Sequence, residues 1–182
     1  MKSLGLLLLL ALRPLDALAG DACTPLIPPP LKVQLTKAFS GYRLPRELDN
    51  SQDDIKYAVE HVGTACLGVA KADFDGDGQS DYLIGLTSVD GQDALVVVAL
   101  ARKSGWALHK LDTWKDGRSR LYVEADPAGK YDDVGDNDGP LEKGQVLTLR
   151  CPHSWAVFGA TESSGVAYCY LDSVWKHVWI SD

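Results

Sequence analysis

From Cys66 to the C-terminus, short apolar runs alternate with Gly, Asp and Ser, the rhythm of strands and turns. "CLGVAKA" and "YLIGLTS" are two such runs. "ALVVVALA" is nearly continuous in apolar residues, as expected of a central strand buried on both faces. Between the last two stands "VDGQD", whose Asp90-Gly91 is a strong hairpin signal. "RKSG" predicts another turn, and "WALHKLDTW" a further strand of alternating character. Two or three antiparallel strands thus follow one another as a meander. "RLYVEA" predicts another strand, and residues 126–145 a long polar loop around "YDDVGDNDGP". Strands resume in "QVLTLRC", "WAVFGAT" and "VAYCYLDSVWKHVWIS", with Asp172-Ser173 breaking the last into a hairpin.

The N-terminal part follows other patterns. "LGLLLLLAL" is a short apolar core behind Lys2, and Ala17-Leu18-Ala19 fits the small-x-small cleavage rule. Residues 1–19 therefore read as a signal peptide, and the mature chain as starting at Gly20. Residues 24–50 open with "PLIPPP" and contain Pro45, which predicts an extended lead-in. A helix follows: Ser51 can cap it, Asp53 and Asp54 suit its positive end, and Gly63 can end it. Ile55, Ala58, Val59 and Val62 recur there at helical spacing. The expected fold is mainly β, an antiparallel meander in partial propeller-like or sandwich-like sheets with one short N-terminal helix. Residues 20–182 form a single domain, long enough for a sizeable core.

The formal charge of the whole chain is -7. Loss of Lys2, Arg13 and Asp16 with the signal segment makes it -8. An acidic exported domain is a poor partner for nucleic acid and suits cations or a basic protein. All four cysteines, Cys23, Cys66, Cys151 and Cys169, lie in the mature part. An even number in an exported chain predicts two disulfides. Three pairings are open; Cys151–Cys169 across neighbouring strands and Cys23–Cys66 pinning the N-terminal segment are favoured. Each would contribute about 3 kcal/mol. No two cysteines stand at zinc-finger spacing, which argues against a zinc site.

The stretch "DFDGDGQSD" carries the strongest chemistry. Asp73, Asp75, Asp77 and Asp81 occupy alternate positions with Gln79 between the last two, and Gly76 and Gly78 allow a tight curl. Carboxylates so close repel one another unless a cation sits among them, and hard oxygens in a flexible loop suit calcium. Ile84 stands where an EF-hand has its bidentate Glu, and the flanks are strand-like. "ADFDGDGQSDYLIGL" resembles the FG-GAP (integrin-type, VCBS-like) repeat, in which such a loop joins two strands of a propeller blade. The resemblance spans residues 66–100 in a single copy. It implies calcium held by Asp73, Asp75, Asp77, Asp81 and the Gln79 carbonyl. The second acidic stretch, Asp132, Asp133, Asp136, Asn137 and Asp138, lacks the alternate spacing and reads as a solvated loop.

His61, His109, His153 and His177 are scattered, and no H-E-x-x-H, G-x-S-x-G, phosphate-binding glycine loop or C-x-x-C occurs. The chain therefore reads as non-enzymatic. Trp106, Trp114, Trp155, Trp175 and Trp179 read as core and inter-strand packing. Turns at Asp90-Gly91, at Arg118 and Ser119, and at Ser163 and Ser164 are candidate contacts with a partner. In general character the chain is similar to periplasmic immunity proteins that neutralise peptidoglycan-cleaving effectors of type VI secretion. The expected function is binding and inhibition of another exported protein, in the periplasm or outside the cell. The alternatives are a calcium-stabilised cell-envelope or carbohydrate-binding module, and a hydrolase without a recognised motif.

Overall fold

The computed structural model describes residues 21–135 and 139–181. The predicted signal peptide, Gly20, and the Asp136, Asn137 and Asp138 part of the second acidic stretch lie outside the described residues. In chain order the elements are α1 (Pro29–Ala38), β1 (Tyr42–Arg43), α2 (Gln52–His61), β2 (Val69–Ala72), β3 (Asp81–Ser88), β4 (Ala94–Arg102) and β5 (Gly105–Trp114). They continue with β6 (Leu121–Asp126), β7 (Gly129–Asp132), β8 (Thr148–Cys151), β9 (Trp155–Ala160), β10 (Gly165–Leu171) and β11 (Val174–Ser181).

The predicted meander is present. β2, β3, β4 and β5 pair antiparallel in succession, and β1 shares an edge of β3 with β2. A second sheet has the order β11-β10-β9-β6, all antiparallel. The two sheets pack face to face, sandwich-like. Leu83, Val96, Val98 and Leu100 of the first meet Leu121, Ala156, Phe158 and Val166 of the second. The opposite face of the first sheet is not free: Ile84, Leu86, Leu95, Val97 and Ala99 pack with Leu31 and Leu35 of α1. The outer face of the second sheet is covered by the β7–β8 ribbon, where Leu149 and Cys151 join Val157, Ala167 and Val178. Four layers thus follow one another. This is why β3 and β4 are apolar almost without interruption: each lies inside a sheet covered on both faces.

Three expectations are corrected. Residues 24–50 are not an extended lead-in, because α1 occupies Pro29–Ala38, and the chain has two helices before its main sheets. Pro29 and Pro30 sit in the first turn, where the amides that proline lacks would have no intrahelical acceptor. Burial of Leu31 and Leu35, four residues apart on one side, supplies about 1.5–3 kcal/mol each and holds the helix on the sheet. The Gln34 side-chain amide also donates to Trp106 O of edge strand β5. In α2 the Ser51 cap is present, its hydroxyl accepting from Asp54 N at 3.1 Å. Only Ile55 and Ala58 of its predicted stripe are buried, while Val59 and Val62 are exposed. The predicted polar loop 126–145 contains a strand, β7, which pairs with β8.

Both favoured disulfides are formed. Cys23–Cys66 ties the N-terminal segment beneath the first sheet, within the cluster that holds α1. Cys151 and Cys169 belong to different sheets rather than neighbouring strands, so their bridge fastens the ribbon to β10. Two disulfides suggest an oxidising, exported environment. Among the described residues no helix is long and apolar enough to cross a membrane.

Candidate functional site

The acidic loop joins β2 to β3, as strands on both flanks demand. Gly76 and Gly78 have φ of +78° and +81°, which side-chain-bearing residues rarely adopt. That curl turns a row of backbone amides inward. Asp73 Oδ1 accepts from Gly76 N at 2.7 Å and Asp77 N at 3.2 Å, and its Oδ2 accepts from Gly78 N at 2.9 Å. Asp81, fully buried at the start of β3, accepts from Phe74 N at 2.8 Å and from Ala101 N at 2.7 Å. Burial, with the nearby Asp75 and Asp77 charges, pushes its carboxyl up to about 6 despite those two amide bonds.

Asp73, Asp75 and Asp81 can each offer a carboxylate oxygen within 4.8 Å of the others. Asp77 lies outside that group, and the Gln79 side chain is engaged with it. Gln79 Nε2 donates to Asp77 Oδ2 at 2.8 Å, and Arg102 Nη1 lies 3.5 Å from the same oxygen. Arg102 Nη2 meets Asp75 Oδ2 at 2.7 Å, so a guanidinium from the end of β4 already compensates part of the loop's charge. The converging donors are all hard oxygens with lone pairs left beyond their amide bonds, a set that suits calcium rather than a softer metal. Sequence reasoning missed Arg102. Its signal is the hairpin register, because counting back from the Asp90-Gly91 tip pairs Tyr82 with Ala99 and carries Arg102 past Asp81 to the loop.

The predicted partner turns lie at the opposite end of the sandwich, one β3 length away, about 24 Å. They meet there. Asp93 Oδ1 accepts from Asp116 N at 3.0 Å, Lys115 Nζ pairs with Asp93 Oδ2, and Arg118 N donates to Gln92 O at 3.0 Å. The β9–β10 turn joins the same end, with Thr161 N donating to Arg120 O at 3.0 Å and the Arg120 guanidinium donating back to Thr161 O. Ser181 Oγ donates to Ser163 O at 3.1 Å. Three turns remote in sequence therefore form one surface. Asp90, Ser119 and Ser163 are exposed on it, and Gly91 and Ser164 are half-buried. Asp116 and Glu162 adopt positive φ (52° and 56°), a backbone conformation non-glycine residues seldom hold.

No protein family, curated protein or solved structure matches this chain. Its chemistry therefore rests on the geometry of these two ends.

Arg118 corrects the reading of its turn. It is 1% exposed, and its side chain faces the interior rather than a partner. Nε donates to Thr87 Oγ1 at 2.8 Å, Nη1 to Asn50 Oδ1 at 3.2 Å, and Nη2 lies 3.5 Å from Asp49 Oδ2. Arg43 grips the same Asp49 with both terminal nitrogens, at 2.8 and 2.6 Å. Burial pushes Asp49 up, but Arg43, Arg46 N and Thr87 outweigh it and hold the carboxyl below its usual value. Burial pushes Arg118 down to about 10, still charged at neutral pH. The network ties β1, β3 and the 47–50 and 118–120 turns together beneath the turn-bearing end.

The second acidic stretch is likewise partly structural. Asp133 Oδ2 accepts from Trp179 N at 2.9 Å and Gln145 Nε2 at 3.2 Å, pinning the loop to β11. Four of the five tryptophans pack on neighbouring rings, Trp106 on Tyr82, Trp114 on Phe158, Trp155 on Tyr131 and Trp175 on Tyr170, while Trp179 packs half-buried against the core between the sheets.

Proposed function

We propose that the mature chain is an exported, non-enzymatic binding protein that inhibits another exported protein, in the manner of a periplasmic immunity protein. The observation that carries this reading is the union of the 88–93, 115–120 and 161–164 turns into one surface. That surface rests on a frame held by two disulfides and by the buried Arg118 network. A rigid set of turns binds without a large ordering cost, which favours an inhibitor that enters a cleft. Asp90, Asp116 and Glu162 are exposed at this end with Lys115 and Arg120 among them, and half-buried Asp93 adds to the acidic side, so the surface carries a small negative excess and the favoured partner is a basic effector enzyme such as a peptidoglycan hydrolase. Calcium at Asp73, Asp75 and Asp81 is the structural ion of this reading, holding the far end of the first sheet.

The test is affinity capture of the mature protein from an envelope extract, followed by a peptidoglycan-cleavage assay on the captured enzyme. Inhibition at stoichiometric ratio is the expected result. A joint Asp90→Arg and Glu162→Arg reversal is expected to weaken it at least tenfold while leaving the fold intact. If no exported enzyme binds, and deletion leaves cells equally resistant to their neighbours, the reading is wrong.

A further inference from the structure

Both arms of the loop between β7 and β8 are tied to the outer edge of β11. Val134 N donates to Trp179 O at 3.0 Å, Val146 N to His177 O at 3.0 Å, and His177 N to Gly144 O at 2.9 Å. Between this loop, β11 and the β9–β10 turn lies a cleft of about 300 Å³, whose walls include Glu142, Ser164, Trp179 and Ser181. That volume is at the low end for ligand sites, room for one side chain or one sugar ring. The walls are fixed by their own contacts. Trp179 N donates to Asp133 Oδ2 at 2.9 Å, and Glu142 N to Gln145 Oε1 at 2.9 Å. The Gly135 backbone lies so close to the indole that a Cβ there would stand 3.1 Å from Cγ and Cδ1 of Trp179. Ser181 Oγ donates to Ser163 O, which keeps the lone pairs of its oxygen on offer.

Among the described residues that line the cleft, Glu142 is the one with a charge. No described lysine or arginine comes within ion-pairing distance of it. The group facing its carboxylate is His177 Nε2 at 3.6 Å, buried and too far for a hydrogen bond. Burial pushes that ring below its ordinary value of 6.5, so at neutral pH it is largely uncharged. Glu142 therefore presents an uncompensated carboxylate beside an indole. An anion is disfavoured there. A guanidinium suits both groups, because it stacks on aromatic rings and its fork matches a carboxylate.

We propose that this cleft binds a guanidinium group, with Glu142 taking its fork, Trp179 its face, and the Ser164 and Ser181 oxygens accepting from its remaining N–H groups. Its position names the source. Ser164 belongs to the 161–164 turn, so the cleft is continuous with the surface assigned above to the partner, and an arginine of that basic enzyme is the side chain that enters. This source rests on the inhibitor reading; the guanidinium chemistry does not. Because the walls stand before the ligand arrives, the arginine loses little beyond its own rotamer freedom, as an anchor residue in a formed cleft does.

The test has two arms. In the first, N-acetyl-arginine methylamide is titrated into the isotope-labelled mature protein, read by the Trp179 indole N–H and Ser164 amide resonances. Saturable shifts with a dissociation constant on the order of 1 mM are expected. They should vanish with the uncharged citrulline analogue, and in Glu142→Gln, a change at an exposed side chain that leaves the fold intact. Equal shifts with citrulline or in Glu142→Gln, saturation by N-acetylglucosamine instead of the arginine probe, or no shift at all would each overturn the proposal. In the second arm, Glu142→Gln is expected to weaken inhibition of the captured enzyme at least about tenfold. An enzyme inhibited equally well by Glu142→Gln overturns the arginine as the source and leaves the inhibitor reading standing. A cleft that saturates with the arginine probe in a protein that inhibits no enzyme supports the guanidinium site and removes the inhibitor reading.

Discussion

Arg118 separates a structural role from a recognition role. Arg118→Ala removes two side-chain hydrogen bonds and the 3.5 Å approach to Asp49, and leaves Asn50 Oδ1 without its donor in the interior. Breaking a buried charge pair costs about 3–5 kcal/mol. Here Asp49 keeps its two-pronged contact with Arg43, so the low end, about 3 kcal/mol, is expected. At roughly 2–4 °C per kcal/mol for a domain of this size, the midpoint should fall by roughly 6–12 °C. Urea unfolding at equilibrium, checked by calorimetry, measures both quantities. Arg118→Lys should recover little of the loss, because an ammonium cannot reach Thr87, Asn50 and Asp49 from one plane. A loss below about 1 kcal/mol would refute the buried-network reasoning. So would unchanged stability together with lost partner binding, the signature of an exposed contact residue.

Calcium should raise the melting temperature, by an amount equivalent to about 2.7 kcal/mol at 100 times its dissociation constant, and Asp75→Ala should abolish the rise. A melting curve indifferent to calcium and chelator would refute the site. Gly85→Ala should destabilise by about 1–3 kcal/mol in urea unfolding, because its Cβ would lie 2.6 Å from Leu121 Cδ2 where the two sheets meet. Burial pushes His177 below its ordinary value of 6.5, against the opposing charges of Glu142, Asp112 and Asp133. The neutral ring thus contributes stability that is present above 6.5 and lost as pH falls through the lowered folded value. A stability–pH curve for His177→Phe, which keeps the ring stack on Tyr168, should be flatter than wild type in that window. Parallel curves would show that the imidazole does not titrate with folding.

Most strands were legible because their signals are local. "ALVVVALA" is apolar on every position, and Asp172-Ser173 turns β10 into β11 with two positive φ values, as a tight hairpin requires. The Ser51 cap of α2 was equally legible, whereas the sequence left three disulfide pairings open and the structure formed the favoured one. Helix α1 was not legible, because a run of prolines suggests extended chain until a sheet face is available for Leu31 and Leu35 to cover. Strand β7 was hidden for the same reason: its burial comes from a ribbon partner and not from its own pattern.

The sequence alone determined the β meander, the acidic loop between two strands and the residue types able to take a hard cation. Those are consequences of neighbours along the chain, where spacing and backbone preference act directly. Tertiary structure decided which carboxylates converge, that Arg102 reaches them, and that Arg118 is a buried tie rather than a contact. It also decided that three turns share one end, and that Glu142, Ser164 and Trp179 line one cleft beside it. Such groupings depend on strand register and sheet stacking, which are set by burial summed over the whole chain.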